Sequence, residues 1–469
     1  MSRINTNINS LQANRALGKN QADLSVRLQR LSTGLRINTG KDDPAGLIAS
    51  ETLRSEINGI GKAVDNTNRA SNVINTAEGA LNEVSSLLNQ VQSLVLEAAN
   101  TGAISQEEVK ANQLQLDSIL TSINRIANTT EFGGRRLLDG SLDYTTTGLQ
   151  SAAIDVAVVN SAKIPDNGST TITVEVTASA QLGLVSYTGG TLASNVTLEV
   201  AGNDGTEQIS FSTSATVTQI AAGVNQLSSA TGVTATVSGA DLRFNSVGYG
   251  SSEFVTVRSV SGAFTTSGVT DRGVDATVLI NGATADVEGT VASLRTSNLD
   301  VNLTLDENFA TMQGATTTTQ FDVDGGGAKF QIGSKVQRNG QINIGIQSVA
   351  TSRLGDVTAG FLSELASGQP SSLVSGNTLQ AQKIVDKALS QVAFIRGRLG
   401  ALQKNVLETN VNSLGVALEN VTASESAIRD ADFAQETAKL TRAQILTQAN
   451  TSILSQANAS PQNVLSLLQ

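Results

Sequence analysis

Two short segments hold the residue types from which a reactive site could be built. Lys41-Asp42-Asp43-Pro44 sets adjacent carboxylates beside a cation. Such a pair could hold a divalent metal, which takes oxygen ligands, but adjacent side chains point apart and no third ligand follows nearby. The preferred reading is a charged turn, with Asp capping a helix and Pro in its first turn. Asp322-Val-Asp324-Gly-Gly-Gly327-Ala-Lys329 has the outline of a phosphate loop. It lacks the Gly-Lys-Ser/Thr ending and precedes a strand pattern, so a flexible return linker is expected instead. Arg135-Arg136 is too small a basic cluster for nucleic acid and suits a salt-bridged helix end. The Ser/Thr-rich centre could accept sugars, although exposed strands share that composition.

Composition narrows the chemistry further. The 469 residues include no His, no Cys and no Trp. That excludes His-based triads, thiol nucleophiles, zinc fingers and disulfides. Hydrolysis by paired carboxylates or chemistry at an activated Lys survives, yet no catalytic, cofactor or metal constellation stands out. A net charge of −10 and 3% aromatic residues argue against nucleic acid as a partner. No run of about 20 apolar residues is present to span a membrane, and Met1–Ser10 lacks the apolar stretch of a secretory signal.

The elements that would position these residues are unevenly distributed. Eleven of the fourteen aromatic residues lie between Tyr144 and Phe361, and only four prolines occur, Pro44, Pro165, Pro370 and Pro461. Aromatic-poor flanks therefore enclose a Thr-, Ser-, Gly- and Val-rich middle, which predicts helical ends around a β-type centre. Ile60, Ala63, Thr67, Ala70, Ile74, Ala77, Leu81, Val84, Leu88, Val91, Val95 and Ala98 step by three and four. That is a coiled-coil seam, on a helix about 60 Å long. Val109, Asn112, Leu116, Ile119, Ile123 and Ile126 follow a short break and predict an antiparallel neighbour.

The C-terminal flank repeats the pattern with Val385, Ala388, Val392, Ile395, Leu399, Leu402 and Val406, then slips by one residue to Leu407, Val411, Leu414, Leu418 and Val421. Long helices tolerate such drift. Seams at both ends suggest that the ends pack together around an inserted middle. Outside them lie two marginal helices. Residues 4–35 carry Ile4, Ile8, Leu11, Leu17, Leu24, Leu28, Leu31 and Leu35; residues 434–457 carry Ala434, Ala438, Ile445, Ala449, Ile453 and Ala457. Both are rich in Asn, Gln and Ser, and each needs a partner to stay folded. The middle alternates with period two. Hairpins are expected at Val196–Phe211 and Ala235–Phe244, further strands at Val278 to Asn281-Gly282 and at Val301, Leu303 and Leu305, a short helix at Ile220–Leu227, and a turn at Asn339-Gly340. The fold class is thus α+β: long antiparallel coiled-coil helices from both termini with a mostly β inserted outer domain. This is the profile of a self-assembling rod or filament subunit.

Specific terminal motifs carry a resemblance. Ile4-Asn-Thr-Asn7, Arg30-Leu-Ser-Thr-Gly-Leu-Arg-Ile-Asn38, Lys41-Asp-Asp-Pro-Ala-Gly46, Glu78-Gly-Ala-Leu-Asn-Glu83 and Thr130-Glu-Phe-Gly-Gly134 lie at the front. Ser424–Asp432, Arg442-Ala-Gln-Ile-Leu446 and Gln456-Ala-Asn458 through Pro461–Leu468 lie at the back, with Phe330-Gln-Ile-Gly333 looking like a hairpin that closes a helical domain. Together, over about 140 residues at each end, they resemble bacterial flagellin.

That resemblance implies a homopolymer: an extracellular propeller subunit, exported unfolded through the flagellar type III channel without a cleaved signal peptide. It would assemble under a cap protein beyond a hook–filament junction protein. It implies a terminal coiled-coil inner domain of 1–44 with 425–469, in which Ile4, Ile8, Leu11, Leu24, Leu28, Leu31, Leu35, Ile445, Ala449, Ile453, Val464 and Leu467 serve self-assembly. A helical core of 45–142 with 328–424 would be sealed by Ile74, Leu81, Val84, Leu88, Val91, Val95, Ile119, Ile123, Val392, Ile395, Leu399 and Leu402, and 143–327 would project outward. An export chaperone would hold Ala434–Leu468. Many members trigger an innate immune receptor; here Gln90 and Gln115 replace the expected Arg and Glu while Leu94 is kept, which implies weakened activation.

Competing readings are a flagellin-like hook–filament junction protein, a peptidase insert, and an adhesive insertion. The peptidase inserts of the family need a His-containing zinc motif, which a chain without His cannot supply. Deleting 150–320 and measuring adhesion separately from swimming would test the adhesive reading.

Overall fold

The computed structural model describes residues 6–165, 168–239, 241–296, 298–312 and 317–466, with side chains in the last helix as far as 459. Nine α-helices are present among them: α1 (Ile8–Thr33), α2 (Pro44–Ala99), α3 (Gln106–Thr129), α4 (Val217–Gln226), α5 (Ser228–Thr231), α6 (Glu307–Thr311), α7 (Thr378–Leu402), α8 (Thr409–Arg429) and α9 (Phe433–Ser466). The six long ones come from the two ends of the chain and the strands lie between, the α+β arrangement expected. The chain divides into two compact units. One comprises 1–71, 331–340 and 404–469; the other comprises 72–330 and 341–403.

In the first unit the helix starts are set by side chains. The Asn7 carboxamide accepts from Ser10 N at 3.1 Å and caps α1, which Gly34 ends at φ 73°. The Asp43 carboxylate accepts from Gly46 N at 2.9 Å and Pro44 opens α2. A missing proline N–H costs nothing there, because first-turn donors have no intrahelical partner. Asn410 donates to Thr67 Oγ1 and to the Ile332 carbonyl, joining α8 to α2 and to the 331–340 loop. Gly59 is what lets that loop approach: a Cβ there would lie 2.9 Å from the Ser334 carbonyl oxygen.

In the second unit α7 runs antiparallel to the later half of α2. Gln92 donates to Asp386 at 3.1 Å, Arg396 to Glu78 at 2.9 Å and Gln403 to Asn75 at 3.0 Å. Ser105 and Glu108 form a reciprocal capping box at the start of α3. Gln113, buried within α3, donates to the Leu365 carbonyl and accepts from Leu373 N, while Asn124 holds Thr351. These bonds lay the 351–373 segment along α3.

The inserted region is built around two hydrophobic cores. One sheet runs in the order Ala283–Thr284, Thr277–Ile280, Thr170–Ala178, Thr317–Gly326, Tyr144–Thr147, and another in the order Asp286–Glu288, Val291–Arg295, Leu299–Leu305, Ile154–Ala162. Ile172, Val174, Val278, Val301, Leu303 and Phe321 are among the residues of their shared core. Within it in sequence sits a second body. Its sheets are Leu184–Tyr187, Asp241–Ser246, Val233–Ser238 and Thr270–Arg272, Phe254–Ser261, Val196–Ala201, Thr206–Phe211. With α4 they bury Leu198, Ile220, Val224, Phe244 and Val257. The expected single β domain is thus an insertion within an insertion. α7 anchors the outer strands: Arg398 donates to Asn160 Oδ1 and the Gly345 carbonyl, and Asn160 donates to Asp300 at 3.0 Å.

Both expected hairpins form, with Ala201 opposite Thr206 and Val237 opposite Leu242, and the structure adds a third with Ile280 opposite Ala283. In the last, Asn281 and Gly282 both take positive φ, the requirement of a tight primed turn.

Several expectations change. Asp322 and Asp324 are not on a linker but on the strand Thr317–Gly326, accepting from Thr171 and Thr147 across the ladder. Arg135 and Arg136 sit on a two-residue strand paired with Glu131–Phe132 rather than at a helix end. The turn expected at Asn339-Gly340 is present, as a 3-10 turn ending a longer connection between the paired strands Ala328–Gln331 and Gln341–Ile344. The one-residue slip of the C-terminal seam is not gradual drift. A π-helical stretch at Gln403–Glu408 takes up one extra residue between α7 and α8.

Candidate assembly interface

The pairing of α1 with α9 is held by polar groups. Ser10 Oγ donates to Asn458 Oδ1 and Asn7 Nδ2 to the Ala457 carbonyl, both at 2.7 Å. At the other end Arg27 Nη1 reaches both oxygens of Glu436, at 2.9 and 3.1 Å. The helices are therefore antiparallel. At their base the backbones of Gly34–Arg36 and Arg429–Ala431 form a short bridge: Arg36 N donates to the Arg429 carbonyl and Ala431 N to the Gly34 carbonyl.

Glu436 is 3% exposed. It is surrounded by Arg27, by Arg30 at 3.6 Å and by Lys439 at 3.3 Å, with Asp23 behind Arg27. Burial alone raises the pKa of the Glu436 carboxyl. Hydrogen bonds from Arg27 and Lys439, with their charges, outweigh that and hold it below the usual carboxylate range. The bond to Glu436 raises Arg27 in turn.

Apolar burial in this pair is small. Among the described side chains Ala13 is the buried apolar residue of α1 and Ala443 that of α9, and α8 buries none. Ile8, Leu11 and Leu28 on α1, and Ile445, Leu446, Ile453 and Phe433 on α9, are 41–61% exposed. Of the residues assigned to self-assembly, Leu24, Leu31 and Leu35 are half-buried and Ala449 is exposed; Ile4 and Leu467 lie outside the described residues, as does the side chain of Val464.

The helical seam behaves differently. Ile74, Leu81, Val84, Leu88, Val91, Val95, Ile123, Val392, Ile395 and Leu399 are at most 2% exposed, Ile119 is 6%, and Leu402 is half-buried. Each fully buried leucine there contributes ~1.5–3 kcal/mol. Gln90 and Gln115 are exposed, whereas Leu94 is buried.

The Lys41–Pro44 segment is the charged turn anticipated. Asp42 accepts from Asn38 N and from the amide and hydroxyl of Thr39, bonds that hold its carboxyl below the usual range. Among the described residues no group of three carboxylates is placed to hold a metal, and no helix is long and apolar enough to cross a membrane. Sequence reasoning missed Arg27, Arg30 and Glu436. Their one signal is a charge on the seam-facing positions of otherwise polar helices, and solvated helices carry charges everywhere.

Long helices from both chain ends, a sealed seam and the poorly covered α1–α9 pair define a class: a structural subunit suited to self-assembly. Residues 4–143 match the bacterial flagellin N-terminal helical region and residues 382–468 the bacterial flagellin C-terminal helical region. The B-type flagellin of Pseudomonas aeruginosa is 32% identical over 99% of both chains, and the flagellin of Salmonella typhimurium 30% identical over 99% of both. Among solved structures, flagellar hook associated protein-3 from Legionella pneumophila covers 81% of this chain and 98% of its own at 14% identity, with a TM-score of 0.30. The chain belongs to the bacterial flagellin family. It is a structural subunit that polymerises into the flagellar filament, the propeller of swimming.

Proposed function

We propose that α1 and α9 are the inner arms of the subunit, and that they reach their folded pairing by packing against the arms of neighbouring copies. The observation that carries this is their burial: two alanines inside, a row of leucines and isoleucines outside. Covering a half-exposed leucine or isoleucine fully gains on the order of 1 kcal/mol, so a neighbour touching several supplies what the isolated pair lacks. On this reading 1–44 with 425–469 form the inner layer, 45–142 with 328–424 the layer of contacts between rows of subunits, and 143–327 the outward part. Leu11→Asp and Ile453→Asp are each expected to leave the far-UV circular dichroism of the subunit nearly unchanged and to abolish filaments in electron micrographs. Normal filaments from both would refute the assignment.

The same arms suit a chain exported unfolded through the flagellar channel, because they bury too little to resist unfolding. The cap, the junction protein and an export chaperone on Ala434–Leu468 are the partners this route requires. We assign the subunit no enzymatic step. For the innate immune receptor, the exposed Gln90 and Gln115 remove two charges from the helix face that would meet it, and weakened activation is expected. A reporter-cell assay checks this: Gln90→Arg should raise potency, and potency of the unmodified protein equal to that of a strongly activating flagellin would contradict it.

A further inference from the structure

The α1–α9 pair contains one feature that self-assembly alone does not explain. Glu436 is the buried carboxylate of a pair whose other buried side chains are alanines. A carboxylate taken from water is costly unless paired, and replacing such a group by an apolar one is often neutral or stabilising. Stability is therefore a poor reason for its presence; selection of one partner and one alignment is a better one.

The helices themselves offer little to select an alignment. On α1 the covered positions recur by threes and fours at Ser10, Ala13, Leu17, Asn20, Leu24 and Arg27, and on α9 they recur likewise at Leu440, Ala443, Thr447, Asn450, Leu454 and Ala457. Among the described side chains of the pair only Ala13 and Ala443 are buried apolar residues, and the leucines among these positions are half-buried, so a slide of one turn changes little apolar contact. The bridge at Gly34–Arg36 and Arg429–Ala431 uses main-chain groups, which do not discriminate between sequences. The Arg27–Glu436 contact does discriminate. In the direction that brings Leu454 opposite Ser10, a slide of three residues carries the carboxylate toward Leu24 and one of four carries it to Asp23, a like charge; both withdraw it from Arg27.

We propose that Glu436, gripped by Arg27 and supported by Arg30 and Lys439, is the positioning residue that selects the register of the α1–α9 pair. It rests on the reading of these helices as the arms that assembly completes. Correct register presents Leu11, Leu28, Ile445 and Ile453 to neighbouring subunits in one fixed pattern; a slipped pair presents a different one.

The absence of cysteine makes the register measurable. Ser10→Cys with Asn458→Cys reports the observed alignment, since those side chains touch, and Ser10→Cys with Leu454→Cys reports a slide of one turn. Each pair is placed in the full chain and copolymerised as a minor component with unmodified subunits, and disulfide formation is measured in the filament. The first pair should exceed the second by about tenfold in an otherwise unmodified chain. Adding Glu436→Gln, or Arg27→Leu with Glu436→Leu, should bring the two within about threefold of each other. An unchanged preference in either background would overturn the proposal. A variant that fails to enter the filament supports it if Glu436→Asp enters normally, and overturns it if Glu436→Asp is excluded too. Loss of both crosslinks in the unmodified background would refute the arm reading itself, which separates the two failures.

Discussion

At the residue scale the subunit concentrates charge where apolar contact is thinnest. Arg27, Arg30, Lys439 and Glu436 bind α1 to α9 over the stretch where only alanines are buried, so this pairing depends on pH more than the sealed seam does. The sign follows from the carboxyl. Its pKa is lower in the folded pair than the ordinary value of 4.5, so it contributes stability above that value and loses it as pH falls through the folded pKa. Amide exchange of 23–33 and 433–443, corrected for the intrinsic rate, should therefore quicken in filaments acidified below about pH 4. Glu436→Gln should flatten that dependence, and equal acid sensitivity of the variant would contradict the role of the carboxyl. The half-buried Arg398, whose pKa desolvation lowers against the pull of Asp300 and Asp143, plays a comparable holding part where α7 meets the inserted strands.

At the element scale the π-helical stretch Gln403–Glu408 stores one extra residue between two regular helices. Deleting Lys404 should regularise the turn and leave filament formation intact, because the surplus residue is the one removed. Deleting Lys387, in the regular part of α7, should rotate every following seam residue by about 100° and abolish assembly. If both deletions behave alike in an assembly assay, the stretch has no such slack. These helices also show what was legible beforehand. Leu81, Leu88, Val392 and Leu399 announced themselves because a buried face repeats with the helix period, and the hairpins at Val196–Phe211 and Ala235–Phe244 because alternation broken by glycine marks a turn. The π stretch was visible only as a shifted phase, since periodicity records that a residue is extra but not how the backbone absorbs it. Asp322 and Asp324 were misread as linker because glycine beside acidic residues looks flexible, while the threonines that bind them across the ladder lie about 150 residues away or more. The division of the insertion into two cores was hidden for a similar reason: Thr- and Val-rich alternation is the same on either side of residues 183 and 273. Glu436 was missed because Arg27, which grips it, lies 409 residues upstream.

At the scale of the whole molecule the account makes the subunit unequal in completeness. The core around Leu81, Leu88 and Leu399 and the two cores of the insertion bury their apolar side chains within the chain. The α1–α9 pair leaves Ile8, Leu11, Ile445 and Ile453 exposed, and on the proposed assignment neighbouring subunits cover them. Order in the arms should therefore depend on assembly, and order in the seam should not. Hydrogen exchange followed by peptide mass spectrometry, on the same protein as monomer and as filament, tests this directly. The account predicts that peptides within 8–33 and 433–459 exchange about 100-fold more slowly in the filament than in the monomer, while peptides within 74–98 and 385–399 are protected in both. Arms equally protected in monomer and filament would contradict it.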